Sequence, residues 1–135
     1  MKLIKNPFVS MLFLAVTVIL ISCKKDDNIA NPSVVGLWKG KYGAVGAYPS
    51  QGYAMLFRNN GTDRVFNSAD TTTATNAEGT YTISSSTVTT NYTYIGTSNT
   101  YSTSSTFNPQ YTFMEGTYGI GASTTGGGQF FLVKE

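Results

Sequence analysis

The chain has 135 residues, with nine basic and seven acidic side chains, one cysteine and no histidine. Without histidine there is no Ser-His-Asp or Cys-His catalysis and no histidine metal site. One cysteine makes neither an internal disulfide nor a thiolate zinc cluster, so no metal and no cofactor is expected.

Lys2 and Lys5 form a positive start, and the stretch from Phe8 to Ile21 is almost wholly apolar. That run is shorter than the roughly 18 to 20 apolar residues of a spanning helix and fits the apolar region of a signal peptide. It ends in Leu20-Ile21-Ser22-Cys23. These four residues resemble the lipobox of bacterial lipoproteins, in which an aliphatic and a small residue precede the cysteine that is lipidated. The resemblance implies a cleaved signal peptide over residues 1–22, acyl chains such as palmitate on Cys23, and attachment to the membrane through the new N-terminus. One acyl chain alone holds only marginally; the several that this modification adds imply a stable anchor.

Lys24, Lys25, Asp26 and Asp27 follow the cysteine. Charge runs are commonly solvated spacers, and residues 23–33, ending in Asn31-Pro32-Ser33, read as a tether. Lys25-Asp26-Asp27 also resembles the export signal of some Gram-negative lipoproteins, a lysine and paired acids just after the lipidated cysteine. It implies display on the outer face of the outer membrane. Once Lys2 and Lys5 are removed, seven basic side chains face seven acidic ones. No clustered Lys and Arg remain for phosphate contact, so nucleic acid is not an expected partner.

Residues 34–135 form the expected folded domain. No stretch there holds a 3.6-residue apolar period, and short alternating runs recur between turn residues. The alternation predicts eight strands: Val34 to Tyr42, Tyr53 to Arg58, Thr62 to Asn67, Gly79 to Ser84, Thr87 to Ile95, Tyr101 to Phe107, Tyr111 to Gly119 and Gln129 to Lys134. Asn59-Asn60-Gly61 is a hairpin turn, since Asn and Gly accept positive φ. The segments Asp70 to Asn76 and Gly121 to Gly127 are polar or flexible loops. An open meander would leave two exposed edges, and closing the sheet into an up-and-down barrel removes them. The expected fold is therefore all-β, one eight-stranded antiparallel barrel, with a β-sandwich as the alternative. Glu78-Gly79-Thr80-Tyr81 recurs as Glu115-Gly116-Thr117-Tyr118; a glycine two residues before a ring lies on the same face and leaves room for a neighbouring strand.

Gly36-Leu37-Trp38 resembles the Gly-x-Trp motif of lipocalin-like barrels. Phe57-Arg58-Asn59-Asn60-Gly61-Thr62 with Gly79-Thr80-Tyr81 resembles small lipocalin-like lipoproteins of Gram-negative bacteria. The resemblance implies a barrel closed at one end by Trp38, with Gly36 before it and Lys134 packed across the indole as a cation–π partner. It also implies a small apolar ligand, for which Tyr42, Tyr53, Phe57, Tyr81, Tyr92, Tyr94, Tyr101 and Phe113 are the candidate lining residues. So many rings also suffice to fill the interior, which makes a packed core the competing expectation.

An enzyme is not expected. The domain's carboxylates (Asp63, Asp70, Glu78, Glu115 and Glu135) form no tight constellation for acid–base work. Glu115 shares strand parity with Tyr111 and Phe113 and is expected inside; Asp63, next to a turn, is expected at the rim. Asp70-Thr71-Thr72 resembles the acceptor sequence of a bacterial O-glycosylation system, with Thr71 as the modified residue. The functions in competition are a lipid-anchored barrel holding a small apolar ligand, a surface module that touches a glycan or protein through exposed Tyr and Thr, and a structural envelope barrel without a ligand.

Overall fold

The computed structural model describes residues 33–135. It contains β1 (Gly36–Ala44), β2 (Gln51–Phe57), β3 (Thr62–Phe66), β4 (Asn76–Ser84), β5 (Thr87–Tyr94), β6 (Thr100–Phe107), β7 (Phe113–Ile120) and β8 (Gly128–Lys134). Each strand pairs antiparallel with its neighbours in sequence, and β1 also pairs with β8, so the sheet is a closed eight-stranded barrel. Trp38 marks the closure, opposite Met55 on one side and Lys134 on the other. The alternative sandwich is excluded, because one continuous ladder runs round the ring.

Local chemistry explains the turns. Gly61 takes φ 79°, and Asn60 Oδ1 accepts hydrogen bonds from the Thr62 backbone N–H and hydroxyl, which locks the β2–β3 hairpin. Most strand limits shift by one to three residues from expectation, and three of the starts have a clear local cause. β1 starts at Gly36, and Val34 instead folds under the barrel, only 2% exposed. β4 starts at Asn76, since the small buried Ala77 pairs on both sides with Val65 and Tyr94. β7 starts at Phe113, because Tyr111 sits in a turn at φ 54°.

That turn breaks the parity on which two expectations rested. Met114 is the inward residue, fully buried, whereas Phe113 and Glu115 point outward. The Phe113 ring stacks on Phe131 outside the barrel, with centroids 6.3 Å apart. Phe113 is therefore no lining residue, and Glu115 is no interior acid. Asp63 is a further correction: it faces inward and is completely buried.

The interior divides into two halves. Trp38, Met55, Phe57, Val65, Met114 and Leu132 pack the end near Ser33 and Lys134 and are almost wholly inaccessible. The other end is built almost wholly of tyrosine. Val88, Phe107 and Phe130 complete the apolar cluster.

Candidate functional site

The packed end is held by the residues of the Gly-x-Trp stretch. The Trp38 indole N–H donates to the Val34 carbonyl at 2.7 Å. Lys134 Nζ lies 5.8 Å from the Trp38 ring centroid and donates to the Ser33 carbonyl at 2.6 Å. A backbone φ of 127° at Gly36, reached easily only by glycine, turns the chain from Val34 into β1. A side chain at Gly36 would also press on the Lys134 stem at 3.2 Å. Trp38, Lys134 and Gly36 thus act together to plug one end.

The opposite end opens into a cavity of about 160 Å³ lined by Tyr42, Tyr53, Tyr94, Tyr101 and Tyr118. Four of these are half-buried, and Tyr53, 4% exposed, forms the floor. The Tyr53 and Tyr92 hydroxyls share a hydrogen bond at 2.9 Å beneath it. Tyr42 donates to Gln51 Oε1 at 2.7 Å, and Tyr118 to the Gly43 carbonyl at 3.5 Å. The rings meet at steep angles: Tyr42 on Tyr118 at 78°, Tyr94 on Tyr101 at 87°, and Tyr42 on Tyr53 at 57°. Burial pushes the Tyr94 hydroxyl up to about 12 and the Tyr53 and Tyr92 hydroxyls well above their usual value, so these groups stay neutral across the physiological range.

Of the expected lining residues, Tyr42, Tyr53, Tyr94 and Tyr101 come together here. Tyr92 lies below the floor, stacked on Tyr101 with centroids 6.0 Å apart. Phe57 and Tyr81 pack edge to face at 5.0 Å within the plugged half, where the Tyr81 hydroxyl donates to the Arg58 carbonyl at 2.6 Å. Tyr118 is the lining residue that sequence reasoning missed. Its signal is the repeated Gly-x-Tyr of Gly116-Thr117-Tyr118, whose parity conflicts with an inward Phe113.

Between the two halves lies Asp63, whose carboxylate oxygens meet no hydrogen-bond partner. Burial pushes its carboxyl up to about 7 from 3.8, and Glu78 adds to the rise; its own backbone N–H and Arg58 oppose it. Gly79, directly opposite on β4, leaves it room, since a Cβ there would lie 2.8 Å from Asp63 Oδ1 and 2.6 Å from Tyr92 Cβ. On the outer face, Glu78 receives hydrogen bonds from Arg58, at 2.9 Å, and from Arg64. The Arg58 bond, first, and the Arg64 bond hold the Glu78 carboxyl below its usual range against the cost of desolvation.

Thr71 is half-buried in the β3–β4 loop. Beside it, the Asp70 carboxylate accepts hydrogen bonds from Thr72 and Thr73, so the acceptor-like stretch is an ordered turn. Cys23, Lys24, Lys25, Asp26 and Asp27 lie outside the described residues. No protein-family model, curated protein or solved structure matches the chain.

Proposed function

We propose that the chain is a bacterial lipoprotein, anchored to the outer membrane through acyl chains on Cys23, whose lipocalin-like barrel binds rather than catalyses. The observation that carries the binding reading is the division of the barrel: one end plugged by Trp38, the other opened into a tyrosine-lined cavity. The size of the cavity limits the occupant. A drug-sized ligand takes roughly 300 to 1,000 Å³, whereas an apolar cavity of about 150 Å³ accommodates a molecule the size of benzene. A small ligand with an apolar surface fits at about 160 Å³; the full chain of a long fatty acid does not.

The cavity lies at the end of the barrel opposite Trp38, so the tyrosines are the better reporters of occupancy. Titrating the full chain in maltoside micelles with a panel of small apolar solutes should shift the ring resonances of Tyr94, Tyr101 and Tyr118. Unmoved rings across the whole panel would overturn the ligand reading. Val45, Tyr48, Ile95 and Ile120 stand exposed around the mouth, Tyr48 at 91%. That rim favours a second reading, a module that touches a glycan or protein. In the same titration an oligosaccharide moving Tyr48 alone would be its signature.

Attachment rests on the lipobox-like residues. Cys23→Ala should abolish incorporation of labelled palmitate and leave an unlipidated precursor. Retention of the label in that variant would contradict the assignment. Lys25-Asp26-Asp27 supports display on the outer surface, and Thr71 is the proposed O-glycosylation position.

A further inference from the structure

The barrel sorts its apolar residues by type. Aliphatic and thioether side chains (Met55, Val65, Met114 and Leu132) fill the plugged half, and none of them lines the cavity. A pocket meant for a plain hydrocarbon gains most from such side chains, since burial is non-directional and scales with area. Tyrosine adds something aliphatic groups lack, a ring face of negative potential. Five tyrosines alone supply the cavity wall, with no Lys or Arg among them to repel a positive guest and no carboxylate to pair with one.

The hydroxyls narrow the choice. Three of the five are engaged within the protein: Tyr42 with Gln51, Tyr53 with Tyr92, and Tyr118 with the Gly43 carbonyl. A sugar or an anion needs a set of free, fixed donors, and this wall holds few. A primary ammonium is strongly hydrated and loses that hydration on entry. A methylated ammonium has a diffuse charge under a shell of methyl groups, so it leaves water more cheaply and touches ring faces directly. A tetramethylammonium-sized group also matches a cavity of about 160 Å³.

We propose that the mouth tyrosines Tyr42, Tyr53, Tyr94, Tyr101 and Tyr118 form an aromatic cage for a quaternary ammonium group. The inference rests on the reading of the mouth as a ligand site and names the class of ligand. The group belongs either to a free solute such as choline or to a phosphocholine headgroup.

The test titrates the full chain in maltoside micelles with tetramethylammonium and choline, and with 3,3-dimethylbutanol, a neutral isostere of choline. Ligand proton spectra report occupancy, because ring currents shift methyl signals upfield. The cations should bind about tenfold more tightly than the isostere. Tyr101→Leu should remove that preference, and Tyr101→Phe, which keeps the ring, should retain it within about threefold. Tighter binding of glycerophosphocholine than of choline would place the group on a lipid headgroup; the reverse order would place it on a free solute. Either result supports the cage. Equal binding of cation and isostere, or a preference surviving Tyr101→Leu, would overturn the cage and leave the mouth as an apolar pocket. If neither cation nor isostere binds to a folded chain, the cage fails, and the wider panel then decides whether the mouth takes any ligand.

Discussion

Trp38→Ala should lower the unfolding free energy by about 3–5 kcal/mol, the range for removing a large aromatic ring from a packed core. The indole is fully buried, and its N–H satisfies the Val34 carbonyl. Alanine would leave a cavity in the packed half of the barrel and strip the carbonyl of its donor. The Lys134 ammonium would lose its aromatic partner as well. Equilibrium denaturation in urea measures the effect, and Trp38→Phe should lose less because it refills most of the volume. A loss below about 1 kcal/mol for the alanine variant would mean that the plug is not held by the indole.

The second large effect concerns Asp63 and pH. Its carboxyl rises from 3.8 in the unfolded chain to about 7 in the folded one, mainly through burial. Between those values the folded chain keeps a proton that the unfolded chain gives up, so stability falls as pH rises through that window. At 1.36 kcal/mol for each pKa unit, the loss by pH 8 is on the order of 4 kcal/mol. Glu78 acts in the opposite sense. Its carboxyl is held low by Arg58, so its contribution is present above its unfolded value of 4.5 and is lost as pH falls through the folded one. Stability should therefore peak at about pH 4, near the unfolded values of the two carboxyls, and decline toward pH 8. Asp63→Asn keeps the shape and cannot ionise, so it should flatten the alkaline decline. Melting temperatures of both chains from pH 4 to 9 give the answer; a wild type whose stability is level between pH 5 and 8 would refute the account.

Much of the barrel was readable because its residues alternate cleanly. Trp38, Tyr42, Tyr53, Phe57 and Tyr92 fall at inward positions of runs bounded by Asn, Gly and Pro, and a period of two assigns them one face. The errors have physical causes. In β7, Phe113 and Met114 are adjacent and both apolar, so hydrophobicity cannot choose between two parities; the positive φ at Tyr111 decides it. The other parity puts Phe113 and Glu115 inside and Tyr118 outside, the reverse of what the strand adopts. Asp63 is expected at the rim because it lies next to a turn, whereas ladder register fixes its direction: opposite Phe57 on one side and Gly79 on the other, it has to point in. The cavity itself was not legible, because whether rings fill a barrel or line it depends on their height along the axis. Sequence alternation gives the side of the sheet and not the depth.

Closure of the ring has a consequence for how the chain meets peptidases. Many such enzymes hold their substrate as an extended strand laid along an edge of their own sheet, and a strand already bonded on both sides cannot be drawn into that arrangement. Every strand here, including β1 and β8, has two partners. Among the described residues, cutting is thereby directed to the connections, chiefly residues 67–75 and 121–127. A nick there leaves both fragments laced into the same hydrogen-bonded cylinder, so one cleavage need not take the barrel apart.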